Sequence, residues 1–150
     1  MKVFITSDHH FFHRNIIKYC NRPFNSIEEM NEFMIKKWNE IVSPGDLVIH
    51  LGDFCLYGID KVKKIRNQLN GIIILVKGNH DYEEMDECGF IVVKGSMQLG
   101  KLILTHRPIP LDEIPKGFTN VHGHIHDKNS FHGINVSVEK TNYKPIELKA

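Results

Sequence analysis

With 150 residues, 41% of them hydrophobic and 25% charged, the chain is long enough for one domain with a sizeable core, and its composition excludes a disordered or fibrous protein. A formal net charge of +1 provides no broad basic field and argues against tight non-specific binding to long nucleic acid. Cys20, Cys55 and Cys88 form no C-x-x-C pair, no apolar run reaches transmembrane length, and the first strand begins without a signal peptide, so the expectation is a reduced, cytoplasmic protein with no membrane partner.

In chain order, residues 2–6 read as a strand, followed directly by Ser7-Asp-His-His10. Residues 11–21 carry Ile16, Ile17 and Tyr19 and predict a short helix closed near Arg22-Pro23. Ser26-Ile-Glu-Glu29 is a capping box, and Met30, Phe33, Met34, Trp38 and Ile41 at helical spacing extend that helix to about residue 42, before Pro44-Gly45. This stripe is core packing rather than a cofactor site. Residues 46–51 predict a second strand, ending in Gly52-Asp53; residues 59–69 predict an amphipathic helix with a lysine-rich solvent face.

The stretch from Ile72 to Asp81 organises the rest. Its first five residues are apolar and rich in β-branched side chains, as in a strand buried on both faces. Gly78 then turns the chain and presents Asn79, His80 and Asp81 at the strand's carboxyl end, where open α/β sheets bind ligands. Residues 82–88 predict a short helix stopped by Gly89. Residues 90–93, 96–99 and 101–105 read as short strands, with a hairpin at Gly100-Lys101 and His106 at the last strand's end. A loop stiffened by Pro108, Pro110 and Pro115 leads to a strand at 120–122 and then Gly123-His-Ile-His126; residues 134–138 and 145–148 complete a strand-rich tail. Early β-α units followed by a β-rich half predict a layered α/β sandwich, a single domain over residues 1–150.

Histidine is the compositional outlier, with ten residues, eight of them (His9, His10, His13, His80, His106, His122, His124 and His126) in short clusters after apolar runs. Five polar clusters each follow a predicted strand: Asp8-x-His10, Gly52-Asp53, Gly78-Asn-His-Asp81, His106 and Gly123-His-x-His126. Carboxylates, imidazoles and one amide oxygen suit Zn²⁺, Mn²⁺ or Fe, and there are too many ligands for one structural zinc; two metals sharing one carboxylate would use them all.

The order D-x-H, G-D, G-N-H-D, T-H, G-H-x-H, spanning Asp8 to His126, resembles the calcineurin-like metallophosphoesterase superfamily, and the opening Ser-Asp-His-His-Phe-Phe-His-Arg-Asn-Ile-Ile looks like its small prokaryotic or phage-type members. The resemblance implies a four-layer α/β/β/α sandwich of the metallo-dependent phosphatase type with two divalent ions at the strand ends, Mn²⁺ as the first choice and Fe, Zn²⁺, Ni²⁺ or Mg²⁺ as others. It assigns Asp8, His10, Asp53 and His126 to one metal and Asp53, Asn79, His106 and His124 to the other, with Asp53 bridging. His80 would face the phosphate and leaving group, oriented by Asp81. The implied reaction is hydrolysis of phosphate esters, diesters ahead of monoesters, by a metal-bridging hydroxide. Many members carry a further acid shortly after Gly-Asp; here Phe54-Cys-Leu-Tyr-Gly58 stands instead.

Other residues read less sharply. His9 points away from the ligand side if the chain stays extended. His13 either reaches substrate phosphate or backs a ligand, helix surface being the alternative. Arg107 reads as a phosphate clamp. His50 and His122 read as packed, hydrogen-bonded groups, His132 as a loop residue and Cys55 as packing. The expected partner is a small phosphate ester, with nucleic acid left open, and the expected state a monomer or homodimer. The alternative function is a non-catalytic metal-binding scaffold on the same fold.

Overall fold

The computed structural model describes residues 1–149. Strands β1 (Val3–Thr6), β2 (Leu47–His50), β3 (Ile72–Val76) and β4 (Phe90–Val93) run parallel, in the order β4-β3-β2-β1, and β9 (Ile146–Glu147) closes the other edge antiparallel to β1. A second sheet has the order β5-β6-β7-β8, formed by β5 (Ser96–Leu99), β6 (Leu102–Thr105), β7 (Thr119–His122) and β8 (Ile134–Asn135). Here β6, β7 and β8 are parallel and β5 is antiparallel to β6, joined by the predicted hairpin with Leu99 opposite Leu102.

The near-continuous apolar strands of the large sheet follow from burial on both faces. Phe4, Val48, Ile73 and Leu75 pack outward against helices α2 (Ile27–Ile41) and α3 (Ile59–Arg66), while Ile5, Ile49, Leu51 and Val76 pack inward against Leu104 and Val121 of the small sheet. On α2 the stripe that reaches the core is Met30, Met34 and Trp38, all with no exposed surface; Phe33 stays at the rim against Phe24 and Tyr143. Full burial of such side chains stabilises by about 1.5–3 kcal/mol each. The Trp38 indole N–H donates to the Asn70 carbonyl at 2.9 Å, so the largest core residue has its polar atom satisfied. Ser26 caps α2 by accepting from the Glu29 N–H, while the Glu29 carboxylate reaches the Asn25 N–H, one residue earlier than in a standard capping box.

This is the two-sheet α/β sandwich the sequence predicts, with local departures. Helix α1 (Arg14–Tyr19) is shorter than the predicted 11–21, because His10 and Phe12 take left-handed φ angles of 51° and 66° that a helix cannot continue. Residues 83–88 form a 3-10 turn, ended by Gly89 at φ 93°. Residues 134–138 leave the ladder after Asn135: Ser137 forms a parallel bridge with Ser7, and Val138–Lys140 is a 3-10 turn. All three α-helices precede β3, and loops cover the outer face of the small sheet. There Asn120, fully buried, ties Ile103, Thr105 and Ile109 together, and His122 meets the Ser130 hydroxyl at 2.8 Å.

Candidate metal centre

The carboxyl ends of the parallel strands of both sheets meet at one edge. The Leu51 carbonyl, after β2, lies 2.7 Å from His106 Nδ1, after β6, and the His124 N–H, after β7, donates to Asp8 Oδ2, after β1, at 2.8 Å. The strand-end clusters therefore converge in two triads whose ligand atoms lie within 4.8 Å of one another: Asp8, His10 and His126, and Asp53, His106 and His124.

Asp53 stands between them. Its Oδ2 is 3.4 Å from His10 Nε2 and 3.3 Å from His106 Nε2, while Oδ1 accepts the His80 backbone N–H at 2.9 Å. His10 Nε2 lies 3.7 Å and His126 Nε2 3.8 Å from Asp8 Oδ1. On the other side, Asn79 Oδ1 is 2.9 Å and His124 Nδ1 3.2 Å from His106 Nε2.

Hydrogen bonds at the back of the rings decide which nitrogen faces inward. A neutral imidazole carries one N–H. His106 gives its Nδ1–H to the Leu51 carbonyl, His10 Nδ1 pairs with His13 Nδ1 at 3.0 Å, and His126 Nδ1 pairs with Glu139 Oε2 at 3.0 Å. Each leaves an Nε2 lone pair turned toward the carboxylates. His13 is held neutral, with its pKa lowered to about 4, first by burial and then by the neighbouring His10 charge; it can accept from His10. Its place is thus behind the His10 ring.

A cation fits this donor set. Asp8 Oδ1 and His10 Nε2 are buried without a hydrogen-bond partner among the described residues, and an unsatisfied buried polar atom costs about 1–3 kcal/mol. The electrostatics agree. Burial alone would raise the Asp53 carboxyl, but hydrogen bonds from His10 and His106 hold it well below the usual carboxylate range. Asp8 is likewise lowered: burial opposes it, and His10, His106 and His126 outweigh burial. Burial would lower His10 and His106, yet the Asp53 carboxylate, helped by Asp8, raises both above the ordinary imidazole value. A proton there stands in for the charge a metal would bring.

The backbone is bent to make the site. Asp8, His10, Asp53, His124 and His126 all have positive φ, between 51° and 72°. Such conformations are tolerated by Asp and His but cost energy, and they cluster where function over-determines the chain. The reason for glycine at 78 is corrected: the chain does turn there, with the Gly78 carbonyl accepting the Asp81 N–H at 3.3 Å, but its φ is not left-handed, and it is glycine because a Cβ would run into Asp53 Oδ1 and its backbone N. Gly123 serves the same end, since a Cβ there would collide with Ser7 Oγ and Asp8 Oδ2.

A second correction concerns Asp81. It does not orient the His80 ring. Its Oδ2 accepts the N–H groups of Asp53 and Gly78, both at 2.8 Å, and its Oδ1 accepts that of Phe54 at 2.9 Å. Its task is to clamp the Gly52-Asp53 and Gly78 loops together. His80 itself is exposed, its ring 5.6 Å from that of His10. Arg107 is exposed beside His106, and Lys77, Gly78, Asn79, Thr105, His106 and Arg107 line a cleft of about 500 Å³.

His9 turns away from the centre although the chain there is not extended. It lies fully buried, stacked on Phe11, with Nδ1 2.9 Å from His50 Nε2. The Gly52 N–H donates to His50 Nδ1, so His50 carries its proton on Nε2 and gives it to His9. Burial lowers the pKa of both, that of His50 to about 3, and the pair is neutral packing. His132 is exposed on its loop, its Nε2 2.9 Å from the Ile109 carbonyl, and Cys55 is buried packing.

Sequence reasoning missed Glu139 and Arg22, both buried behind Asp8 and His126, where Arg22 and Glu139 form an ion pair at 2.8 Å. Neither follows a strand, and a charged residue in a loop reads as solvated.

No helix among the described residues is long and apolar enough to cross a membrane. The family profile of calcineurin-like phosphoesterases matches residues 1–148. The uncharacterized protein MJ1445 of Methanocaldococcus jannaschii is 42% identical over 159 aligned residues, covering 98% of this chain and 87% of that one. Among solved structures, the protein of unknown function AQ665 from Aquifex aeolicus is similar at a TM-score of 0.75 and 26% identity, covering 97% of this chain and 95% of that one. The nuclease MPE of Pseudomonas putida shares the fold at a TM-score of 0.57 and 20% identity, over 83% of this chain and 61% of that one. With the profile matched over nearly its whole length and a relative this similar, the chain belongs to the calcineurin-like phosphoesterase family.

Proposed function

We propose that the protein is a dimetal-dependent phosphohydrolase acting on phosphodiesters in preference to monoesters. The observation that carries this reading is the position of Asp53 Oδ2, 3.4 Å from one inward-facing imidazole nitrogen and 3.3 Å from the other, as a ligand shared by two ions requires. Asp8, His10, Asp53 and His126 would hold one divalent ion, and Asp53, Asn79, His106 and His124 the other, with Mn²⁺ the first choice on the mixed oxygen and nitrogen donor set. Such ions supply Lewis acidity toward phosphoryl oxygens and acidify water.

The protein's own groups do the rest. Displacement in line puts negative charge on the leaving oxygen, opposite the nucleophile. His80, exposed at the rim and anchored through its backbone to Asp53, is the group we assign to meet that charge and return a proton, worth about 10²–10⁴-fold. Arg107 lines the cleft and clamps a phosphoryl oxygen. One guanidinium and one imidazole suit the single charge of a diester better than the double charge of a monoester. The substrate we assign is a small phosphate ester, handled by a cytoplasmic monomer or homodimer.

The test is hydrolysis of bis-p-nitrophenyl phosphate against p-nitrophenyl phosphate by metal-stripped protein re-supplied with Mn²⁺. Diester turnover that chelator abolishes is the expected result. Two ions bound with neither ester turned over would favour the scaffold reading, and faster monoester turnover would reverse the proposed preference.

A further inference from the structure

We infer that Glu139, locked by Arg22, is a positioning residue that fixes the His126 imidazole for the cation at Asp8 and His10. The inference rests on the two-ion reading of the centre. Glu139 lies outside every strand-end cluster, in the turn Val138–Lys140. That turn is tied to the centre through the Val138 N–H, which donates to the Ser7 carbonyl at 3.0 Å, next to Asp8.

One carboxylate oxygen gathers three nitrogens. Glu139 Oε2 pairs with His126 Nδ1 at 3.0 Å, accepts from Arg22 Nε at 2.9 Å and lies in an ion pair with Arg22 Nη2 at 2.8 Å. The two charged side chains are 3% and 0% exposed. The same guanidinium donates through Nη1 to the His9 carbonyl at 2.6 Å and through Nη2 to the Asp8 carbonyl at 2.8 Å. Arg22 thus holds the backbone that carries two ligands and, through Glu139, the ring of a third. Arg22, paired with Glu139 at 2.8 and 2.9 Å, supplies the opposite charge that a buried carboxylate needs.

The chemical consequence lies in His126. With its proton on Nδ1 and given to Glu139, the lone pair is fixed on Nε2, the nitrogen 3.8 Å from Asp8 Oδ1. A carboxylate behind a ligating histidine fixes its tautomer and strengthens it as a donor, and removing such a partner typically costs about 10–100-fold in metal affinity. Cys20, His126 and Glu139 also bring ligand atoms within 4.8 Å of one another. They make a poor metal site of their own, because Arg22 already balances the Glu139 charge, and burial followed by that charge pushes the Cys20 thiol up to about 12, far from a thiolate.

The test is Mn²⁺ titration by calorimetry of metal-stripped wild type and Glu139→Gln, which keeps the side chain's size and an acceptor for Arg22. The expected result is two ions bound by both proteins, with one step weakened about 10–100-fold in the variant and the other unchanged. Two ions bound with wild-type affinities in the variant would overturn the role of Glu139. Fewer than two bound by wild type would instead overturn the two-ion reading. A second measurement needs no variant: long-range ¹H–¹⁵N spectra of the metal-free wild type at alkaline pH. A His126 proton on Nδ1 supports the inference, and a proton on Nε2 overturns it even if Glu139→Gln fails to fold.

Discussion

In the proposed two-ion centre, the cation positions share Asp53 and differ in what stands behind them. Asp8 and His10, both nearly fully buried, are backed by buried side chains that include an ion pair: the Arg22–Glu139 pair behind His126, the neutral His13 behind His10, and the hydroxyls of Ser7 and Ser137 against Asp8 Oδ2. The second position is backed by neutral groups. His106 leans on a backbone carbonyl, Asn79 is exposed, and His124 is half-buried, with a cleft opening beside His106. A buried, charge-braced position resists loss of its ion, whereas an open one exchanges with solvent and meets substrate. The difference predicts ordered loading, with the Asp8 side filling first.

The most severe way to break this asymmetry is to remove what the positions share. Asp53→Asn keeps an oxygen for the His80 N–H but loses the charge that both inward-facing imidazoles approach. Calorimetry should then register weaker binding of both ions, and ester turnover should fall to background; retention of one tight ion with turnover would mean that the carboxylate is not shared. His80→Asn touches neither ligand set. Metal content should stay at two while kcat falls about 10²–10⁴-fold, and an unchanged kcat would remove His80 from the chemistry. Asn79→Ala takes one ligand from the open side only. The second binding step should weaken by at least about the 10–100-fold typical of losing a supporting partner, with the first step unmoved.

The asymmetry was half legible in the sequence. The five clusters were readable because each follows an apolar run whose period marks a strand, and parallel strands deliver their carboxyl ends to one edge. That logic predicted that Asp8, His10, Asp53, Asn79, His106, His124 and His126 meet at one edge, as the fold brings them, and it also read the core stripe of α2. It missed the bracing on the Asp8 side, because Arg22 and Glu139 are 117 residues apart and their pairing depends on how a tail turn seats against Ser7. It gave Asp81 the wrong partner for a related reason. Sequence adjacency pointed Asp81 at His80, whereas the tertiary fold offered it the free amides of Asp53 and Phe54, and a buried carboxylate follows the donors. The positive φ angles at five site residues were equally hidden, since Asp and His visit that region without the glycine that would have announced it.

Acid should act on both positions alike, which makes pH the mildest probe of the comparison. Each has one imidazole whose folded pKa is raised: His10 on the buried side and His106 on the open side, where burial opposes protonation and Asp53 overcomes it. In the metal-free protein these raised values contribute stability that is fully present below the unfolded value of 6.5 and is lost as pH rises through the folded values. The depressed Asp8 and Asp53 work the other way: their contribution is present above the unfolded value of 3.8 and is lost as pH falls through the folded values. These four groups by themselves favour the acid side of neutrality, between those limits, whereas His9, His13 and His50, whose pKa values burial lowers, contribute stability that is lost as pH falls below 6.5 and move the optimum read by thermal unfolding back toward neutrality. Metal binding needs the imidazoles neutral, so as pH falls below the raised values each binding step should weaken, by about tenfold per unit for one competing proton. The two steps should weaken in parallel, because the largest raising contribution in each comes from the shared Asp53 carboxylate. A Mn²⁺ affinity profile in which only the Asp8 side responds to acid would move the cause from the shared carboxylate to the bracing behind His10 and His126.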